Sequence, residues 1–268
     1  MKKRNIVSAL VLLASIGMIA YSGPQIVNME RVYLEGNAAY DALRKQVRKD
    51  SPDGFEKKEQ QIDANVVVEG MAEPLVYEPL LDIDYEALWT ISKEASAWLY
   101  SPGTVIDYPV MAAGDYYYYL YHLPDGTENL NGSLFIDYNC APDFSDPLTI
   151  IYGHHMKSGS MFGSLKGYKE QRYFDEHPYM YLYTQHSNYR IDLIYGCVID
   201  AGQWRERAFM YPENVDALIA YAAYNTTFKS SAVYNKGDRV VALSTCSYEF
   251  DDARYVVIGI LKGVDKYE

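Results

Sequence analysis

Positive charge is scarce in this chain of 268 residues: 24 lysines and arginines stand against 36 aspartates and glutamates, for a formal charge of −12. Such a surface repels the phosphates of nucleic acid, so no nucleic-acid partner is expected. Three of the basic residues, Lys2, Lys3 and Arg4, sit at the N-terminus, which leaves the remainder more acidic still. Cysteine is equally sparse at three, too few for a disulfide framework and odd in number. The metal-binding spacings H-E-x-x-H and C-x-x-C are missing, as are glycine-rich phosphate loops. No metal and no cofactor is therefore expected. No internal repeat is visible, so solenoid architectures are set aside.

What is present begins with an apolar N-terminus. No charged side chain occurs from Asn5 through Met29, and the densest apolar stretch runs from Ile6 to Ala20. This is close to the ~20 residues needed to cross a bilayer. With its cationic tip it reads as an uncleaved single-pass anchor, leaving everything after about residue 23 outside the cell. A cleaved signal peptide is the alternative, for which Ala20-Tyr21-Ser22 is a mediocre cleavage site. The spacing of Met29, Tyr33, Tyr40, Leu43 and Val47 then predicts a helix over Ile26–Lys49, broken by Asp50-Ser51-Pro52-Asp53-Gly54. A boundary near residue 75 divides the chain into a tip and anchor (1–23), a helical extension or linker (24–74) and a main domain (75–268).

Past that boundary the pattern turns mainly β. Asp84–Leu99 reads as a helix with an acidic cap, placing Leu88, Ile91, Ala95 and Trp98 on one side. The runs TVIDYPV, SLFIDY, LTIIYG, YMYLYT, YRIDLIYGCVID, RVVALST and RYVVIGIL are β-branched, aromatic and bounded by turn residues. They predict strands in a closed or sandwich-like architecture. Pro212–Phe228 interrupts them with helical spacing at Val215 and Leu218, as a helix inserted between late strands.

The thiols are the first chemical signal, because cysteines outside the cytoplasm are usually paired. Cys197 reads as a buried strand residue and Cys140 as a loop residue, and a bridge between them is left open. Cys246 remains as the candidate free thiol. It ends RVVALST, while Arg254 begins RYVVIGIL, so a hairpin of those strands sets the two side by side. A neighbouring guanidinium favours a thiolate and donates to an oxyanion, although an ordinary surface arginine near a structural cysteine fits the same two residues. The strand LTIIYG runs into His154-His155, where a histidine suits a proton carrier; neighbours on an extended chain face opposite ways, so only one of the pair meets the thiol. Ser244 and Thr245 flank the nucleophile as candidate groove residues, or as plain strand-end turn formers. Asp251 and Asp252 read as a solvated acidic turn.

Three stretches together resemble a known family: LSTC at Leu243–Cys246 with Arg254 downstream, IIYGHHM at Ile150–Met156, and DIDYEALWTISKEASAWLYSPGTVIDYPV at Asp82–Val110. MFGSLKGY and YFDEHPYMYLYT, within Met161–Thr184, are similar to it as well. The chain resembles a class B sortase, a membrane-anchored cysteine transpeptidase of the Gram-positive cell envelope, over about residues 80 to 268. Cys140 is not part of the family pattern. The resemblance implies an eight-stranded sortase-type β-barrel with an N-terminal helical extension and one inserted helix. It also implies Cys246 as nucleophile, His154 as general acid and base, and Arg254 as oxyanion partner. The implied substrates are surface proteins bearing a C-terminal sorting signal, cleaved at a Thr-Gly-like bond and passed to an amine of a peptidoglycan precursor or pilin. A hydrolytic thiol peptidase with the same residues, and a non-catalytic envelope-binding module, remain as alternatives from the sequence.

Overall fold

The structure, a computed structural model, describes residues 2–49, 81–204 and 215–264, with side chains from residue 12 onward. Eight strands close a barrel: β1 (Ala95–Tyr100), β2 (Asp107–Ala112), β3 (Leu134–Ile136), β4 (Leu148–Tyr152), β5 (Tyr179–Thr184), β6 (Asn188–Asp200), β7 (Val240–Cys246) and β8 (Ala253–Val264). Their order around the wall is β1-β2-β3-β4-β7-β8-β6-β5, with β5 returning to β1. Two pairs are parallel, β2 with β3 and β4 with β7; the other six are antiparallel. A parallel pair needs a long crossover, and the one from β4 to β7 contains β5, β6 and an inserted helix.

The strands read as continuous apolar runs because both faces of the wall are covered. Along β7, Val241 and Leu243 lie in the main core cluster with Leu99, Val110, Ile151 and Val257. Their neighbours Val240 and Ala242 pack instead with Ile150, Val256 and Ile258 against Leu218, Ile219 and Ala222. Those last three belong to α4 (Val215–Tyr224), the inserted helix expected within Pro212–Phe228. The expected helical residues 212–214 lie outside the described residues, and Thr227 and Phe228 follow the helix as loop.

The outer wall at β1, β2 and β3 is covered by α1 (Lys2–Val47) and α2 (Tyr85–Ile91), whose Leu43, Val47 and Leu88 pack on Trp98, Met111 and Phe135. A further helix, α3 (Gln171–Glu176), precedes β5. The helix expected over Ile26–Lys49 is the last part of α1. Tyr40, Leu43 and Val47 of the expected face are buried, while Met29 is exposed before the helix reaches the barrel. Polar bonds add to this contact: Arg48 Nη1 donates to Asp107 Oδ2 at 2.6 Å, and Trp98 Nε1 donates to Oδ1 of the same carboxylate at 2.7 Å.

The helix expected over Asp84–Leu99 is corrected: it is capped by Asp84, whose carboxylate accepts from Ala87 N at 2.9 Å, but it ends at Ile91. Ala95–Tyr100 is β1, in which the consecutive Trp98 and Leu99 are both fully buried, Trp98 beneath α1 and α2 and Leu99 in the main core. Burial on two opposite faces requires a strand, and pairing with both β2 and β5 outweighs the local helical spacing. Among the described residues no helix is long and apolar enough to cross a membrane. Of the anchor expected over 1–23, the side chains of residues 1–11 lie outside the description, and the boundary near residue 75 lies outside the described residues altogether.

Candidate active site

The site is laid out by strand register. In the β4–β7 pair Tyr152 stands opposite Ser244, and the ladder continues through Gly153 N, which donates to Ser244 O at 3.2 Å. One residue further along each chain, His154 follows Gly153 and Cys246 follows Thr245. In the β7–β8 pair Cys246 is the direct partner of Arg254. Paired residues share a face of the sheet, so Cys246 and Arg254 share one, while His154 lies two residues beyond Tyr152, the last residue of β4. Ala242, on the face of β7 that carries Cys246, and Val256, on the face of β8 that carries Arg254, pack in the cluster that includes α4. All three thiols are free, so the Cys140–Cys197 bridge left open by the sequence is not formed; only Cys246 is exposed.

The two histidines are held by different backbone carbonyls. His154 Nε2 is 2.7 Å from Leu120 O, and His155 Nδ1 is 2.7 Å from Cys246 O. His155 therefore grips the peptide of the expected nucleophile rather than its sulfur. The backbone of His154 is held too, its carbonyl accepting from Phe162 N at 3.0 Å. Gly153 permits this crowding: a Cβ there would fall 2.4 Å from Leu134 Cδ2 and 2.7 Å from the Phe162 ring.

Ser244 and Thr245 are 1% and 3% exposed, inside the wall. Thr245 Oγ1 donates to Gly153 O at 2.7 Å, tying the strand that carries Cys246 to the peptide before His154. Ser244 Oγ has no partner among the described residues. Arg254 Nη1 donates to Ala253 O at 3.0 Å and Asp252 O at 3.3 Å, so Asp252 meets the arginine through its backbone and not its carboxylate. Asp252 itself turns the chain with φ of 60°.

Three features of the site carry no signal in the linear sequence. The first is Leu120 O, a backbone atom. The second is aromatic: the Tyr121 ring lies 6.3 Å from His154 and the exposed Tyr248 ring 5.2 Å from His155. The third is a clamp on the β7–β8 connection. Lys169 bonds to both Ser247 Oγ, at 3.0 Å, and Glu249, and Ser247 Oγ donates to Glu249 Oε2. Partial burial opposes ionisation of Glu249, but the Lys169 and Ser247 hydrogen bonds outweigh it and hold the carboxyl at about 2. Burial alone pushes the Cys197 thiol up to about 12, and burial with the nearby Asp137 and Asp146 pushes Cys140 up to about 11. Among the described residues no group of three metal-ligating side chains is gathered. His122 and His177 are occupied by carbonyls of Tyr118 and Pro102 away from Cys246.

No family model matches the chain. Its sequence is 31% identical over 178 residues to Sortase B of Listeria monocytogenes, covering 65% of this chain and 72% of that one. A solved Bacillus anthracis protein described as similar to sortase B superposes with a TM-score of 0.61 at 30% identity, over 69% of this chain and 85% of that one. The fold is shared also with a Staphylococcus aureus sortase B–substrate complex, at a TM-score of 0.63, 23% identity, and 68% and 86% coverage. Identity of this extent, together with the closed eight-stranded barrel, establishes that the chain belongs to the class B sortases and is an enzyme of the sortase transpeptidase type.

Proposed function

We propose that the chain cleaves a Thr-Gly-like bond in a C-terminal sorting signal and transfers the acyl part to an amine, with Cys246 as nucleophile, His154 as general acid and base, and Arg254 as oxyanion partner. The observation that carries this reading is the register: Cys246 pairs with Arg254, and the parallel β4–β7 ladder, ending at Tyr152 and Ser244, stops two residues short of both His154 and Cys246. The Cys246 thiol gives its proton to His154 as the sulfur adds to the threonine carbonyl, and the guanidinium receives the negative oxygen. His154 protonates the departing amine as the C–N bond breaks, leaving a thioester. An incoming amine then attacks the thioester, His154 takes its proton, and the thiolate is expelled. Arg254 Nη1 donates to the carbonyls of Asp252 and Ala253, which anchors the guanidinium at the start of β8.

Exposed groups around the thiol, Tyr121 and Tyr248 among them, supply aromatic surface for a peptide, and α4 supplies a wall on the same face. Ser244 and Thr245 support this site from within the wall. A single-pass anchor at 1–23, a helical extension or linker over 24–74 and an outward-facing catalytic domain over 75–268 complete the reading. Its support is the uncharged run Asn5–Met29 and the exposure of Leu12, Leu13, Ile16, Ile19, Ile26 and Val27 on α1. The donors on this reading are envelope proteins bearing sorting signals, and the acceptor is a cell-wall or pilin amine.

Mass spectrometry of the full chain and Cys246→Ala with a set of Thr-Gly-containing pentapeptides tests the proposal. Wild type gains the mass of the acyl fragment at Cys246, added amine releases it as ligated product, and Cys246→Ala gains nothing. Release to water with no ligated product at saturating amine points to the hydrolytic reading. An unmodified Cys246 across the set refutes both.

A further inference from the structure

The contact between His154 Nε2 and Leu120 O has a chemical consequence. A carbonyl oxygen has no proton to give, so Nε2 carries the hydrogen, and in the neutral ring Nδ1 keeps the lone pair. Leu120 therefore sets which nitrogen is free to exchange a proton. Yet Leu120 ends a short 3₁₀ turn, Tyr118–Leu120, which lies outside every strand of the barrel. Its position depends on what packs against it.

That support comes from the segment leading into β3, and it is backed by α1. Gly132, with φ of +58°, lies so close to the turn that a Cβ would fall 2.6 Å from the carbonyl oxygens of both Tyr119 and Leu120. Ser133 N donates to Tyr119 O at 2.8 Å. The same segment is gripped by the helix: Tyr40 OH donates to Gly132 O at 2.6 Å and lies 3.1 Å from Ser133 Oγ. Asn129 Nδ2 donates to Val32 O at 3.0 Å, and Asn131 Nδ2 reaches Tyr33 O at 3.3 Å and Asn37 Oδ1 at 3.0 Å. Tyr40 is 2% exposed, and burial raises its phenol well above the ordinary range, so it stays a proton donor. A buried donor of this kind fixes its acceptor, because either group left alone is costly.

We propose that Tyr40 is a positioning residue for His154, acting from α1 through Gly132 on the Leu120 carbonyl that sets the imidazole tautomer. The proposal rests on the reading of His154 as the proton carrier. It gives the helical extension a part in the chemistry: α1 braces the loop that holds the histidine, without itself supplying a reacting group.

The test uses the full chain, labelled with ¹⁵N, and two variants. Tyr40→Phe keeps the ring and deletes the hydroxyl. Gly132→Ala adds a methyl group against the Leu120 carbonyl in a backbone region that disfavours it. Two-bond ¹H–¹⁵N spectra identify the histidine tautomer, and steady-state transfer of a Thr-Gly-containing pentapeptide to triglycine gives kcat and KM. In wild type His154 is the Nε2–H tautomer. In both variants the Nδ1–H form appears and kcat falls roughly tenfold at unchanged KM, a part of the ~10²–10⁴-fold that a positioned acid–base group supplies. Variants that only lose Tm, with tautomer and kcat as in wild type, overturn the proposal; so does a tautomer change that leaves kcat untouched. His154→Ala separates the underlying reading: retained transfer removes His154 from the chemistry, while the tautomer measurement in the other variants still reports whether the brace exists.

Discussion

Ser244 and Thr245 are neighbours on one strand, both hydroxyl-bearing and both buried, yet replacing each by its apolar isostere has opposite expected effects. Thr245→Val deletes the donor that lies 2.7 Å from Gly153 O and leaves that oxygen within the wall. Removing one partner of a buried hydrogen bond costs about 1–3 kcal/mol. Taking about 2 kcal/mol, the melting temperature falls by roughly 4–8 °C for a domain of this size. Ser244→Ala instead deletes a hydroxyl that has no partner among the described residues, so the desolvation cost it carries in the folded state disappears. Its expected effect is neutral, or a gain of up to about 1 kcal/mol. Urea unfolding followed by tryptophan fluorescence reads the two differences on one scale. Thr245→Val also frees the peptide preceding His154, so its kcat falls, whereas Ser244→Ala leaves kcat and peptide KM as in wild type. Equal destabilisation by both variants, or a rise in KM for Ser244→Ala alone, refutes the reasoning: the first denies the difference in hydrogen bonding, and the second puts Ser244 in contact with the peptide.

The other predictions concern the charged and thiol groups. Arg254→Lys keeps the charge but loses the planar fork of donors, and Arg254→Ala loses both; kcat/KM for transfer falls by about 10²–10³ in the alanine variant and by less in the lysine variant. Equal activity of all three removes Arg254 from the oxyanion role. The Glu249 carboxyl, held at about 2 against an ordinary 4.5, binds protons less readily folded than unfolded, so its stabilising contribution is complete above about 4.5 and is lost as pH falls towards 2. Lys169→Met removes the larger of its two partners, and the expected outcome is a smaller loss of stability between pH 5 and pH 3 than in wild type, measured by urea unfolding. An unchanged pH dependence sinks the clamp. Iodoacetamide at neutral pH modifies Cys246 alone in the folded protein; Cys140 and Cys197, pushed up to about 11 and 12, react only after unfolding. Labelling of either in the native state refutes that upward shift.

The barrel was legible wherever both faces of a strand are covered. LTIIYG, YMYLYT and RVVALST are mainly apolar on both faces because α4, or α1 with α2, covers the outside while the core fills the inside. β1 was not, since ASAWLY also satisfies helical spacing, and what makes it a strand is pairing with β2 and β5 at the closure of the barrel. Cys246 beside Arg254 followed from a hairpin, which is local in sequence. The placement of β4 beside β7 did not, because the two are joined by a crossover of about ninety residues containing two strands and the helices α3 and α4, and no local pattern fixes such a register. Backbone acceptors such as Leu120 O are illegible for a different reason: every residue has one, and only the fold says which is aimed at a histidine.

The histidine doublet shows how the site uses that register. Side chains of successive residues leave an extended chain in opposite directions, so His154 and His155 are bound to different elements: one to the turn Tyr118–Leu120, the other to the last residue of β7. Both bonds end on carbonyls, which accept but never donate, so each ring has its contacting nitrogen protonated and its other nitrogen free. For His155 the bonded nitrogen is Nδ1 and for His154 it is Nε2. The two rings are thus opposite tautomers when neutral, and a swap of their roles would require each to give up a buried or strand-end acceptor. His155→Asn, whose amide reaches from about the Nδ1 position, keeps the bond to Cys246 O and retains most of the transfer rate, while His155→Ala loses that bond and lets the end of β7 move. His154→Asn has no such rescue, because an amide cannot carry a proton to the leaving amine and back. Activity that survives His154→Asn but not His155→Asn would reverse the assignment of the pair.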